Sequence, residues 1–182
     1  MNELIIMGIP NVGKSTLIKE ISQKKNFFIP QHVTNRMPRK DDTNFYKFKK
    51  TEYFKKNEFY ELANDDEGIY YGVPMKNIRK YKNKILVINT SIKNIKKHLS
   101  HDDKKFVCVI SSKNPEKTIR NCGNKYSNKE IIYRIKETTK EMILLEDFID
   151  NPYINTYYIE DYCDLTTMFK AIQKEIKGFF EC

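Results

Sequence analysis

No cysteine pair in this chain is spaced to hold zinc. Its four cysteines, Cys108, Cys122, Cys163 and Cys182, include no CxxC, which excludes the common zinc-binding arrangements. Cys108 lies inside an apolar run, where a thiol acts as a small hydrophobe, and a reducing, cytoplasmic setting is expected. There is no N-terminal signal pattern and no apolar run near the ~18 residues a membrane span requires, so no membrane partner is expected. The terminal Phe179-Phe180-Glu181-Cys182 is not a prenylation box, because its cysteine comes last. Internal repeats, low-complexity linkers and a concentrated basic arm are all missing. The 33 Lys and Arg against 24 Asp and Glu, a net charge of +9, are dispersed along the chain. No nucleic-acid-binding motif accompanies that excess, so phosphates on small molecules are the expected counterpart rather than nucleic acid. What is present is a 40% hydrophobic content in strand-like runs, which excludes disorder. A length of 182 residues suits one domain with a full core and small mobile insertions.

The most specific stretch stands near residue 1. Leu4-Ile5-Ile6-Met7, an apolar run of strand length, leads into Gly8-Ile9-Pro10-Asn11-Val12-Gly13-Lys14-Ser15-Thr16. The helix-forming Leu17, Ile18 and Ile21 follow. Strand, GxxxxGK[ST] and helix in that order make a phosphate-binding P-loop. Gly8 and Gly13 permit a tight turn whose N–H groups face phosphate oxygens, and a helix opening at Lys14 adds its partly positive end. Lys14 is expected to reach the β- and γ-phosphates and the Ser15 hydroxyl to ligate Mg²⁺. Asn11, Val12 and Thr16 complete the loop that would cradle a nucleoside triphosphate.

Beyond it, Phe27-Phe28-Ile29 and His32-Val33-Thr34 read as short extended pieces. Residues 35 to 71 are polar, basic and aromatic, with Tyr46-Lys47-Phe48, a short helix from Thr51 to Lys56, Glu58 to Ala63, a turn at Asp65-Asp66-Glu67-Gly68, and a return over Ile69 to Tyr71. This pattern predicts a small, mostly antiparallel insertion. Pro74 is expected to open a helix to about Tyr81. Strands are expected at Lys84 to Ile88, Phe106 to Ile110 and Tyr157 to Ile159, with helical spacing at Ile92, Ile95 and Leu99. A short helix should start at Pro115. Asn128 should cap a long one whose apolar face is Ile131, Ile132, Ile135, Met142 and Leu145, and a last helix should follow Asp164. Strands alternating with helices predict an α/β, three-layer P-loop fold. Its mainly parallel five-stranded sheet should hold the P-loop strand centrally, with ligands at the strands' carboxyl ends.

The phosphate loop strongly resembles that of translation-factor-class GTPases. Such proteins also carry a DxxG behind a buried strand and an NKxD that reads guanine. Asp65-Asp66-Glu67-Gly68 matches the first but sits in a turn-like acidic cluster. No NKxD exists, since Asn83-Lys84, Asn124-Lys125 and Asn128-Lys129 each lack the Asp. The insertion resembles a different family. Val33-Thr34-Asn35-Arg36-Met37-Pro38-Arg39, Tyr46-x-Phe48, Phe59-Tyr60-Glu61-Leu62-Ala63 and Tyr71-Gly72 follow the order of the acceptor-binding region of guanylate kinases. The likeness runs on through Ile85-Leu86 and through Arg134 and Glu141.

That resemblance implies transfer of the γ-phosphoryl of ATP, with Mg²⁺, to GMP or dGMP. Arg36, Arg39, Tyr46 and Tyr71 would hold the acceptor phosphate, as forked guanidiniums and phenols suit a dianion. Glu61, helped by Thr34 and Asn89, would read the base. Arg120 and Arg134, with Lys14, would neutralise charge on the transferred group. One domain, 1–182, would comprise a core (1–30, 75–115, 134–182), an acceptor-binding insertion (31–74) and a lid (116–133), acting as a monomer or homodimer. Three departures stand out. Val73 replaces the usual Ser or Thr, Val87 and Asn89 replace two carboxylates, and Cys122 replaces a lid arginine. Tyr71-Gly72-Val73-Pro74 and Leu86-Val87 are instead similar to ribose 1,5-bisphosphate kinases. A guanylate-kinase-like module that binds without catalysis, and a GTPase, are the remaining alternatives.

Overall fold

The computed structural model describes residues 2–38, 45–79, 83–99, 104–121, 126–159 and 165–181. Arg39 and three of the cysteines, Cys122, Cys163 and Cys182, lie outside the described residues. Two sheets organise the rest. The first has five strands in the order β2 (Phe27–Phe28), β7 (Ile85–Asn89), β1 (Glu3–Gly8), β8 (Lys105–Ser112), β9 (Ile154–Ile159). All of its pairings are parallel. Parallel strands covered on both faces need uninterrupted apolar runs, and Leu4, Ile5, Ile6 and Met7 of β1 are each fully buried. The P-loop strand is central, between β7 and β8, as expected.

Helix α1 (Lys14–Ser22) buries Leu17, Ile18 and Ile21, and α5 (Leu165–Glu181) buries Phe169, Ile172 and Ile176. These are the helical spacings legible in the sequence. The second sheet, in the order β4-β3-β6-β5, lies wholly between β2 and β7 in the chain. Its strands are β3 (His32–Thr34), β4 (Tyr46–Phe48), β5 (Phe59–Asn64) and β6 (Tyr70–Pro74). Two of its pairings are antiparallel and the β3–β4 pairing is parallel. Phe54 of α2 (Thr51–Lys56) stacks on Phe59 and Tyr70, with ring centroids 5.5 and 5.2 Å apart, which packs that helix on the sheet.

Four expectations need correction. Pro74 ends β6 instead of opening a helix, and only a 3-10 turn, Met75–Asn77, follows it. A proline with no N–H suits a strand terminus as well as a helix start, and fully buried Val73 draws the chain into the sheet. The segment Ile92–His98 is 3-10 rather than α-helical. Helix α4 (Asn128–Glu146) is capped by Ser127, not Asn128. Ser127 Oγ accepts from Glu130 N and the Glu130 carboxylate accepts from Ser127 N, a complete capping box. The apolar face expected for α4 is also displaced: Ile132 is 55% exposed, while Thr138 and Leu145 are buried. Helix α3 (Pro115–Arg120) packs beside α4. No helix of the described residues is long and apolar enough to cross a membrane.

Candidate nucleotide-binding site

Strand β1 ends in a loop with three residues at positive φ: Gly8 (146°), Asn11 (64°) and Gly13 (82°). Gly13 is the N-cap of α1, and its carbonyl accepts from Thr16 N and Leu17 N. Ile9 and Val12 are fully buried, so their side chains root the loop in the core and Val12 offers a ligand only its backbone. Ser15 and Thr16, in the first helical turn, are exposed. Lys14 Nζ donates to the carbonyls of Gly8 and Ile9, each at 2.6 Å. The ammonium thus closes the cradle over itself.

Burial pushes Lys14 down to about 8; the charge of Glu141 opposes that shift and that of Arg134 adds to it. A half-buried ammonium whose hydrogen-bond partners among the described residues are two loop carbonyls is a fitting counterpart for polyphosphate, so the residues present suit a nucleotide. Affinity for a nucleoside triphosphate should therefore fall as pH rises through about 8, where unliganded Lys14 loses its proton. The loss should approach ~10-fold per unit above that point. Calorimetric titrations from pH 6.5 to 9.5 check this, and a flat profile would remove Lys14 from the phosphate site. For metal, no group of three or more His, Cys, Asp or Glu side chains forms a cage among the described residues. Mg²⁺ that enters with phosphates needs only one or two protein ligands, and the Ser15 hydroxyl stands at the start of α1.

Helix α4 brings two charges within electrostatic reach of the loop lysine. Arg134, Thr138, Glu141 and Leu145 recur at helical spacing on its inner side. The charges of Arg134 and Glu141 both act on Lys14. Arg134 lies over the Tyr126 ring at 4.1 Å, and its Nε is buried with no hydrogen-bond partner among the described residues. The Glu141 carboxylate accepts from Ser91 Oγ, just past β7, and burial raises its pKa against that hydrogen bond and the Lys14 and Lys93 charges. Arg120, expected at the same place, is elsewhere. Its side chain is 57% exposed and pairs with Glu116 one turn back, at 2.8 Å.

Three of the four residues expected to grip an acceptor phosphate meet in the second sheet. Arg36 is 8% exposed, with its guanidinium 5.1 Å from the Tyr46 ring and 5.4 Å from that of Phe48. Its Nη1 donates to the Met37 carbonyl at 2.9 Å. Tyr46 meets Tyr71 edge to face at 6.2 Å. Buried Thr34 lies opposite Tyr71 on one side and Phe48 on the other, and its hydroxyl accepts from Arg36 N at 3.2 Å. The fourth, Arg39, lies outside the described residues.

Glu61 departs from its expected role. It is neither a solvated strand residue nor turned to an open cleft, being 3% exposed. Oε1 accepts from Thr90 Oγ1 at 2.7 Å and Asn94 Nδ2 at 2.5 Å, with His98 Nε2 at 3.4 Å, and Oε2 accepts from Lys97 at 3.1 Å. Oε1 has no acceptor capacity left, so reading two donors of a base would require breaking this network. In this structure Glu61 ties β5 to the segment after β7. Asn89, at the end of β7, keeps its side-chain oxygen buried with no hydrogen-bond partner among the described residues.

Sequence reasoning missed the partners Ser91, Asn94, Lys97 and His98, and also His32. Both His32 ring nitrogens face carbonyls, Pro30 O at 2.9 Å and Asn89 O at 3.1 Å, and so link β3 to the end of β7. Burial outweighs those contacts and pushes His32 down to about 4, leaving it neutral at pH 7. No spacing rule flags these residues, because their partners are distant in the chain. The DxxG match is a turn: Asp65 Oδ1 accepts from Glu67 N and Ile69 N in the β5–β6 hairpin. Asp66 of that turn pairs with Lys93 and Lys140, both of which also pair with Glu137.

Among solved structures, a guanylate kinase from Anaplasma phagocytophilum shares the fold. Its TM-score is 0.67 over 97% of this chain and 85% of that one, at 17% sequence identity. No curated protein sequence matches the chain. A family model described as "50S ribosome-binding GTPase" matches residues 3–146, from β1 and the P-loop through α4. The likeness to guanylate kinase thus holds for the fold, while the GTPase reading that the missing NKxD had set aside is supported by the sequence match. On that match, the chain belongs to the P-loop family described as 50S ribosome-binding GTPase.

Proposed function

We propose that the protein is a phosphotransferase that moves the γ-phosphoryl group of ATP to a nucleoside monophosphate, with GMP or dGMP as the leading acceptors. One observation carries this reading. A separate sheet, inserted between β2 and β7, gathers Arg36, Tyr46 and Tyr71 into one cluster. Hydrolysis by water calls for no such second phosphate clamp, whereas transfer to a phosphorylated acceptor does. The acceptor oxygen would attack in line, and no side chain need act as base. Lys14 and the loop amides would hold the donor phosphates. Arg36, Tyr46 and Tyr71 would hold the acceptor, and Arg134 would face the transferred group. Mg²⁺, held by Ser15, would neutralise charge on the β- and γ-oxygens. With Glu61 engaged internally, the Asn89 oxygen would be the acceptor with capacity to spare for a base, so purine selectivity should be loose.

The test is ADP release from ATP and Mg²⁺ against GMP, dGMP, AMP, CMP, dTMP and ribose 1,5-bisphosphate, with GTP alone in parallel. Turnover led by GMP or dGMP supports the proposal. Turnover led by the bisphosphate assigns a sugar-phosphate acceptor, and nucleotide binding without turnover assigns a binding module. Phosphate release from GTP with no acceptor present favours the second reading, a GTPase, which the family match supports. Within the kinase reading, Arg36→Ala should raise the acceptor KM by ~30-fold and the ATP KM by less than ~3-fold. An equal rise in both would place Arg36 outside the acceptor site.

A further inference from the structure

P-loop proteins commonly steady their metal with two protein groups, the loop Ser or Thr and a carboxylate at the end of a neighbouring strand. Here the neighbouring strand is β7, paired with β1 so that Asn89 lies opposite Ile6 and Thr90 N donates to Ile6 O at 3.0 Å. Its sequence is Ile85-Leu86-Val87-Ile88-Asn89, then Thr90-Ser91, with no acid. Two carboxylates reach this end from elsewhere. Glu61 reaches Thr90 and is already bound by Asn94, Lys97 and His98. Glu141 comes from α4 to Ser91 and has only that hydroxyl as a hydrogen-bond donor among the described residues. An ionised carboxylate has room for about four donors. The two cations whose charges act on Glu141 are engaged with other groups, Lys14 with the loop carbonyls and Lys93 with Glu137 and Asp66. Glu141 is thus a partly satisfied acid on the P-loop side of β7.

We propose that Glu141 supplies the metal-facing carboxylate that β7 lacks, accepting hydrogen bonds from the hydrated Mg²⁺ that accompanies a nucleotide in the P-loop. The assignment rests on nucleotide binding at the P-loop, which the kinase and GTPase readings share, and not on any acceptor. Once phosphates draw Lys14 off its carbonyls, the water shell of the cation becomes the source of donors for Glu141. Ser91 acts as a positioning residue that holds the carboxylate at the strand end.

The experiment measures the affinity of the full chain for a fluorescent N-methylanthraniloyl ATP, once with excess Mg²⁺ and once with EDTA. Wild type, Glu141→Gln and Ser91→Ala are compared, with near-UV circular dichroism confirming their fold. For wild type, Mg²⁺ should tighten binding. In Glu141→Gln that gain should shrink at least ~10-fold, while metal-free affinity holds or improves because a negative charge facing the phosphates is gone. Ser91→Ala keeps the charge and should shrink the gain by ~2- to 5-fold, which preserves the test if the glutamine variant does not fold. Mn²⁺ titrated into the nucleotide complex and followed by electron paramagnetic resonance should weaken in parallel. Equal losses with and without Mg²⁺ would show that Glu141 only balances Lys14 and would overturn the proposal, as would an unchanged Mg²⁺ gain. Wild type that binds no nucleotide in either buffer would overturn the P-loop reading itself, a different result.

Discussion

Gly8→Ala is expected to cost more than ~3 kcal/mol of stability, enough to leave most of the protein unfolded or without a formed P-loop. Gly8 has φ of +146°, and a Cβ built on it would lie 2.0 Å from the Ile110 carbonyl oxygen and 2.9 Å from its carbon. Neither atom can rotate away, because both belong to the backbone of β8. That strand pairs with β1 at Gly8↔Ile110 and with β9 on its other side. Relief would require parting the two central strands just where the phosphate loop begins. Two control substitutions isolate the cause. Gly68, at φ +77°, has nothing within 4 Å of an added methyl, so Gly68→Ala should cost only the ~1–2 kcal/mol of left-handed strain. Gly178, inside α5 and also clear of neighbours, should give a gain of ~0.5–1 kcal/mol on Gly178→Ala. Urea unfolding ranks the three. A Gly8→Ala protein as stable as Gly68→Ala would mean that β1 and β8 do not approach this closely.

The second large effect is expected at Glu61. Glu61→Ala should lose ~3–5 kcal/mol, because it strips the acceptor from buried Thr90 and His98 and from Asn94 and Lys97. Burial alone would raise the Glu61 carboxyl; hydrogen bonds from His98 and Thr90 and the charges of His98 and Lys97 outweigh it and hold the group down at about 2. The sign of the pH dependence follows. The unfolded chain binds this proton near 4.5 and the folded chain only near 2, so the stabilisation is complete above about 4.5 and disappears as pH falls towards about 2. Wild-type stability should therefore drop across that window by ~3 kcal/mol more than that of Glu61→Gln. Stability measured by urea unfolding at pH 7, 5, 4, 3 and 2 checks the difference. A Glu61→Gln protein of wild-type stability, with acceptor binding alone impaired, would return Glu61 to the role of base reader.

These two residues show how unevenly the chain reveals itself. Gly8 and Gly13 were legible as a phosphate loop because local geometry alone demands them: a strand must turn sharply into a helix with its amides inward. The strands were legible for a similarly local reason, since β1, β7 and β8 are buried on both faces and carry continuous apolar runs. The start of α3 followed from Pro115, but Pro74 opened no helix, and Ser127 and Glu130 show that a reciprocal box outranks the single cap read at Asn128. The acceptor cluster was legible only as an order of motifs, and the packing of Arg36 over Tyr46 and Phe48 was not.

Tertiary structure alone decided which polar residues are interior. Amphipathic spacing assigns the apolar side of α4 to the core, but Ile132 and Ile143 face solvent, while Thr138 is buried and Arg134 and Glu141 turn to the P-loop lysine. Glu61 could not be distinguished from a base reader, because the groups that occupy it come from Thr90 and the 3-10 segment after it, far along the chain. The sequence by itself determined a P-loop on a central parallel strand, since backbone torsion and burial are settled within a few residues. Packing decided what surrounds it, because the free energy of a buried charge depends on partners that only the folded chain brings within reach.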